Sequence, residues 1–337
     1  MTYMKRDDRW LTVVVFLLCI PSGTSLLAKV YGLAEMHRTV PLIVVPSCAI
    51  LIIIGFIAPR IQLKGLSETL LIGLATGALD TLSYFLYRVP FLWLGFRVFV
   101  PIRVYGIWAL DANASSLQTD LVGWFYHVSN GLTFSLAYCC FVRLFALKRR
   151  WVIATLAILY SLGLETIAVV TPFAKIFNLS GNVPALLIAY TGHIAYGLPL
   201  AWMTSHWRAS VARLSRAPAY VYYLALAISA LMVAAYLAFY LTAGVPSQWA
   251  QRHLVINSSG IQPDITRLNG NESFWIRNGR DEAIEASFQG RSLPFTIDAG
   301  DSCSAMLEAA GISQLRIKSS PPVRSGFIIV EPVDAVR

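Results

Sequence analysis

The sequence predicts an α-helical polytopic membrane bundle of about seven transmembrane helices, followed by an all-β sandwich. Three observations carry this. Apolar residues make up 56% of the 337-residue chain and charged residues 13%, with mean hydropathy +0.61; a soluble domain carries about 25% charged residues. Apolar runs of about 20 residues, the length that crosses a bilayer, recur up to Gly244. Beyond it the runs shorten and are separated by turn signals. The expected division is a helical domain over residues 1–244 and a β domain over residues 247–337.

The chain opens on MTYMKRDDRWLTVVVFLLCIPSG, a basic start before an apolar stretch. No small-x-small cleavage site closes it at the usual distance, so it reads as a retained first helix, with the cleaved alternative open. Spans are expected near Trp10–Val30, Val40–Ile57, Thr69–Tyr87, Leu121–Leu144, Trp151–Thr171, Pro184–Ser205 and Ala219–Thr242. The net charge of +9 does not point to nucleic acid, because the basic residues sit in short loops beside apolar segments. Lys5, Arg6 and Arg9, then Arg60 and Lys64, then Lys148 to Arg150, then Arg208, Arg213 and Arg216 all fall on one side if there are seven spans. That side is cytoplasmic by the positive-inside rule. In a bacterial inner membrane the tail is then periplasmic.

Between the third and fourth spans, Pro90–Asp120 is apolar but contains Arg97, Arg103 and Pro101. Each arginine at the bilayer centre costs about 2.5–3.5 kcal/mol on insertion scales. The segment is therefore expected to lie at the outer interface, with Arg88, Arg97 and Arg103 as a rim for an anionic headgroup or substrate. Trp93, Trp108, Trp124 and Trp249 fit an aromatic belt there. Cys19, Cys48, Cys139 and Cys140 lie in apolar runs and Cys303 stands alone in the tail, with no zinc-type spacing.

The tail shows short β-type runs, RHLVIN, DITRL, ESFWIRN, AIEASF, LPFTID, CSAMLEA, SQLRIK and GFIIVEP. Asn269-Gly270, Asn278-Gly279 and Ala299-Gly300-Asp301 lie between some of them. About eight strands at this spacing imply an antiparallel sandwich. The order LVINSSGIQPDITRLNGNESFWIRNGRDE, FTIDAGDS, GISQLRIKSSPPVRSGFIIVEP resembles a cupredoxin-like domain. In that family a cysteine and a histidine precede the closing strand; here the place holds Arg316, Ile317, Lys318, Ser319, Ser320, Pro321 and Pro322. A type 1 copper site needs two His and a Cys, and only His253 and Cys303 are present, neither placed to serve. The resemblance implies a fold without copper. The membrane half resembles a group of uncharacterised bacterial polytopic proteins in its TGALDTLSYFLYR, H-x-x-N-G and H-x-x-Y-G helices. That likeness transfers no activity.

Four ionisable residues lie well inside the spans: Asp80, His127, Glu165 and His193. Counted along their helices, they fall within roughly 10 Å of one depth in the outer half of the bilayer. Thr76, Asp80, Tyr84 and Arg88 recur every four residues and share a stripe. Asp120, His127 and Asn130 share a face with Gly131, and His193 and Tyr196 with Gly197. Such residues are costly unless partnered, so they mark a candidate centre. Three readings stay open: polar groups that fasten helices, a metal or haem site, or a proton or substrate path. No His-x-x-x-His or Glu-x-x-His spacing strengthens the metal case. The expected function is an accessory or assembly subunit of a membrane complex, with the sandwich as its docking module for a membrane-protein partner. The alternatives are a metal- or haem-dependent enzyme or redox subunit built on His127, His193, Asp80 and Glu165, and a proton-coupled transporter.

Overall fold

The computed structural model describes residues 6–94, 96, 98–177, 179, 181–216, 219–242, 253–258, 260–269, 272–288, 294–307, 311–318 and 326–331. The helices are α1 (Arg6–Cys19), α2 (Pro21–Val30), α3 (Met36–Thr39), α4 (Val45–Ile57), α5 (Lys64–Trp93), α6 (Val100–Leu110), α7 (Leu117–Leu144), α8 (Arg150–Val170), α9 (Pro172–Ile176), α10 (Val183–Ser205), α11 (Trp207–Leu214) and α12 (Ala219–Thr242). Pro21 separates α1 from α2. A π-helical turn, Val40–Val44, joins α3 to α4 where Pro41 and Pro46 remove two amide donors.

Among the described residues, six helical stretches are long and apolar enough to cross a membrane: Asp8–Val30, Met36–Ile57, Lys64–Trp93, Arg150–Val170, Val183–Ser205 and Ala219–Thr242. The expected fourth span, α7, is 28 residues long but is not among them. Asp120, His127, Asn130 and several hydroxyls dilute its hydropathy. It is nevertheless the hub of the bundle. It runs antiparallel to α5 and also packs on α1, α6 and α12, while α10 lies between α5 and α8. Gly77 permits the α5–α7 approach, since a Cβ there would stand 2.8 Å from Leu132 Cα. Asp8, Gly65 and Arg143 meet at one end of the bundle. Glu35, Asp111 and the β domain lie at the other. Midway along its length α8 touches α7 through Tyr160, whose Oη donates to the Phe134 carbonyl at 3.1 Å.

The segment expected at the lipid interface is folded inward instead. α5 continues to Trp93, and α6 is buried from Val104 to Leu110 against α7. A Cβ on Gly106 would run into the Thr119 carbonyl, so glycine lets the two backbones touch. Trp108 is buried under Lys29 Nζ, 5.5 Å from its ring, and is no belt residue. Trp124 packs on Phe85 and Phe99. Trp249 lies outside the described residues.

The tail forms β1 (His253–Asn257), β2 (Gly260–Gln262), β3 (Ile265–Asn269), β4 (Ser273–Asn278), β5 (Ile284–Phe288), β6 (Phe295–Ile297), β7 (Ser302–Met306), β8 (Gly311–Lys318) and β9 (Gly326–Glu331). Two sheets, ordered β2-β1-β4-β7 and β3-β9-β8-β5-β6, share a core of Leu254, Ile256, Phe274, Ile276, Phe288, Leu315 and Ile328. The expected antiparallel sandwich needs correction. β1 pairs with β4, and β3 with β9, in parallel. The chain changes sheets repeatedly, and strands that return by such crossovers can lie parallel. The three-residue β2 was also missed.

The two halves join along one edge. α6 ends because Asp111 takes a left-handed conformation, φ 53°. Ser116 then caps α7 in a box with Thr119. Between them the chain is laid along β3. Arg267 N donates to Asn113 O at 2.8 Å and Ser115 N to Ile265 O at 2.9 Å, with a bridge between Ala114 and Thr266. The free edge of β3 is thus covered by the helical half's own loop.

Candidate functional site

The four-residue stripe on α5 turns Thr76, Asp80, Tyr84 and Arg88 inward, and all four are buried. α7, α8 and α10 face this stripe, and the polar groups separate into two levels.

The deeper level belongs to Asp80. Its Oδ2 accepts from Ser135 Oγ at 2.6 Å; Ser135 Oγ lies 2.7 Å from Tyr196 Oη, which donates to the Gly131 carbonyl at 2.8 Å. This chain ties α5, α7 and α10 together.

One turn outward lies the second level. His193 Nδ1 is 3.0 Å from Glu165 Oε2 and 3.1 Å from the Ala189 carbonyl. Both partners are acceptors, so Nδ1 carries the hydrogen and Nε2 is left as the basic nitrogen. Tyr84 touches both imidazoles, with ring centroids 5.4 Å from His193 and 5.6 Å from His127. His127 also packs on Phe85 and Tyr105. The Arg88 guanidinium stacks over Tyr84 at 4.2 Å and donates to the Val98 carbonyl at 3.1 Å. Gly192 leaves room for it; a Cβ there would stand 3.2 Å from Arg88 Nε.

This outer level opens on a cavity of about 740 Å³. Tyr84, Arg88, His127, Asn130, Glu165, His193 and Tyr196 all line it, and Gln314, Arg316 and Phe327 of the β domain contribute to its wall. Asp80 does not. The rest of the lining is mainly apolar and comes from α1, α2, α6, α7, α8, α9 and α10 and the segments flanking α6 and α9.

Of the residues singled out from sequence, Glu165, His193, His127, Tyr84 and Arg88 come together, and Asn130 and Tyr196 border the same space. Asp80 lies one turn away, with its Oδ2 bound by the Ser135 hydroxyl. Among the described residues no three His, Cys, Asp or Glu side chains converge as a metal site would require. Of the expected arginine rim, Arg88 and Arg103 are held by different partners. Arg103 is held by Asp120 at 2.8 Å and by Asp264 through two bonds of 2.5 and 3.0 Å. Arg97 lies outside the described residues. Arg88 borders the cavity and Arg103 does not. Sequence reading missed Tyr105, which reaches the cavity from α6, and Arg316, whose strand position gives no hint of a helical neighbour. The chain matches no known protein family and no curated protein, so the reading of this site rests on its own residues.

Proposed function

We propose that this protein is an integral membrane enzyme whose intramembrane cavity carries out acid–base chemistry, with His193 as the base and Glu165 as the residue that orients it. The observation that carries this is the Glu165–His193 contact of 3.0 Å at the wall of the 740 Å³ cavity. A carboxylate on Nδ1–H holds the imidazole in one tautomer and stabilises the cation formed when Nε2 takes a proton. Apolar walls exclude water and strengthen that interaction. Tyr84 sets the two imidazoles around its ring.

In this reading α7 is a seventh crossing, since 28 residues rise about 42 Å. The basic loops are then cytoplasmic and the sandwich lies on the periplasmic side of a bacterial inner membrane. A cysteine introduced by Ser302→Cys in a Cys303→Ala background is expected to react with a membrane-impermeant maleimide from the periplasm. Reaction only after the inner membrane is breached would overturn this topology.

The chemistry is tested by incubating purified protein with an extract of bacterial membrane lipids and comparing products by mass spectrometry. Wild type is expected to convert at least one component, and Glu165→Gln to slow that conversion by about 10²-fold or more. Equal conversion by both would refute the role given to the pair.

A second reading, an accessory subunit, draws on the exposed Trp275 and Met306 of the four-stranded sheet. In it a cupredoxin-like sandwich without copper ligands serves as a docking module for a membrane partner. Stable co-purification of one partner, lost on removal of residues 247–337, supports it.

A further inference from the structure

The cavity's charge balance identifies what it takes. Arg88 is 8% exposed, its Nε has no hydrogen-bond partner, and among the described residues no carboxylate forms an ion pair with it. The buried Lys29 of the helical half is matched by Glu35 at 2.8 Å, and the partly buried Arg143 lies 3.7 Å from Asp8. Glu165, the carboxylate lining the same cavity, is turned to His193. A guanidinium removed from water without an anion is strongly unfavourable, whereas one that lines a cavity, as Arg88 does, is a ready seat for phosphate or carboxylate.

The rest of the cavity asks for something different. Its walls are largely apolar, and its sides include Ile20, 40% exposed, at the α1–α2 junction and Ile167, 46% exposed, on α8. Both lie within stretches long and apolar enough to cross a membrane. α8 meets α7 through Tyr160 and Phe134, but farther out the cavity lies between them. The space therefore borders the zone of acyl chains rather than water alone. Gln314 and Arg316 of β8 close the wall on the sandwich side, where Arg316 adds a second cation.

We infer that the cavity binds an anionic amphiphile, its phosphate or carboxylate head on Arg88 and its apolar chain in the gap between α1–α2 and α8. This rests on the cavity being the working site, and names the class of molecule that site receives. The head then lies beside His127 and the Glu165–His193 pair, with the chain directed toward lipid.

The test is binding to the full-length protein in a neutral detergent. Palmitoyl lysophosphatidic acid, palmitic acid, monopalmitoylglycerol and inorganic phosphate are compared as competitors for a fluorescent lysophosphatidic acid. Both anionic amphiphiles are expected to compete, and the neutral glyceride to be weaker by about tenfold or more. Inorganic phosphate is expected not to compete at millimolar concentration. Arg88→Gln should weaken the anionic amphiphiles by about tenfold and leave the glyceride unchanged, with Arg88→Lys in between. Ile167→Trp, which leaves Arg88 intact, should weaken all three chain-bearing molecules together. Equal binding of acid and glyceride, or no effect of Arg88→Gln on a protein with an unchanged melting temperature, overturns the assignment. Competition by phosphate alone makes the site one for a free anion and also overturns it. Wild-type turnover separates this inference from the catalytic reading: binding of the anionic amphiphiles without turnover sinks the enzyme and spares the ligand, whereas turnover of a neutral lipid does the reverse.

Discussion

Removing the Asp264 carboxylate should loosen the joint between the two halves without unfolding either. Asp264 accepts two bonds from Arg103 and one, at 2.6 Å, from Ser115 Oγ. The Arg103 and Asp264 side chains are 26% and 44% exposed. Hydrogen bonds to charged groups contribute about 1.5–3 kcal/mol when buried, and exposed ion pairs about 0–1 kcal/mol. At this partial exposure Asp264→Asn should cost about 1–2 kcal/mol, kept low because Asp120 still holds Arg103. The amides of Ser115 and Arg267 report directly, since both bond across the joint. Their hydrogen exchange should accelerate about 5–30-fold, while core amides of β4 stay protected. A cycle with Arg103→Gln should give a coupling of the same size. Unchanged exchange at both amides, or a vanishing coupling, refutes the claim that this cluster holds the joint. The pH dependence follows. Burial pushes the Asp264 carboxyl up, but the bonds from Arg103 and Ser115 and the Arg103 charge outweigh it and leave the group below the usual carboxylate range. A depressed carboxyl stabilises fully above its unfolded value of about 3.9 and loses that contribution as pH falls toward the folded one. Protection of the joint amides, taken relative to their intrinsic exchange rate at each pH, should therefore hardly change between neutral pH and about pH 5, and fall only below about pH 4.

Gly106→Ala should lower the thermal stability of the detergent-solubilised protein by about 1–3 kcal/mol, because its Cβ meets the Thr119 carbonyl and lies 2.7 Å from Gly123 N. Gly163→Ala is the control: nothing stands within 4 Å, so the melting temperature should hold or rise. At Asp80, Ser135 and Tyr196 bring two hydroxyl protons to three contacts, so Asp80→Asn supplies the donor the chain lacks. It should stay within about 1 kcal/mol of wild type, whereas Asp80→Leu should cost about 2–4 kcal/mol. An equal loss from both substitutions would remove the role assigned to the hydrogen-bond chain.

Several elements were legible because their signals are local. The four-residue recurrence on α5 predicted the stripe from Thr76 to Arg88, and run length predicted the boundaries of α8, α10 and α12 closely. Alternation located eight of the strands. What escaped depends on partners far along the chain. Arg103 looks like an interfacial anchor until Asp264, 161 positions away, takes its charge; with that charge met, α6 can be buried. Parallel pairing of β1 with β4 leaves no trace in turn residues. At the site, equal spacing put Asp80 and Arg88 on one stripe, but spacing does not say which of them meets a hydroxyl chain and which meets a void.

That difference separates fastening from function better than burial does. Asp80 and Arg88 are both buried, two helical turns apart, on the same face. Asp80 meets Ser135 at 2.6 Å and, through it, Tyr196 and the α7 backbone. Its Oδ2 is bound into a hydroxyl chain that spans three helices, although its Oδ1 has no partner, and it does not border the cavity. Arg88 has its aromatic support and one carbonyl, yet it lines an open cavity with no carboxylate paired to it among the described residues. A fold optimised for stability alone would place an acid there, as it does beside Lys29 and Arg143. Leaving the cation unmatched costs stability in the empty protein, and that cost is recovered when an anion arrives.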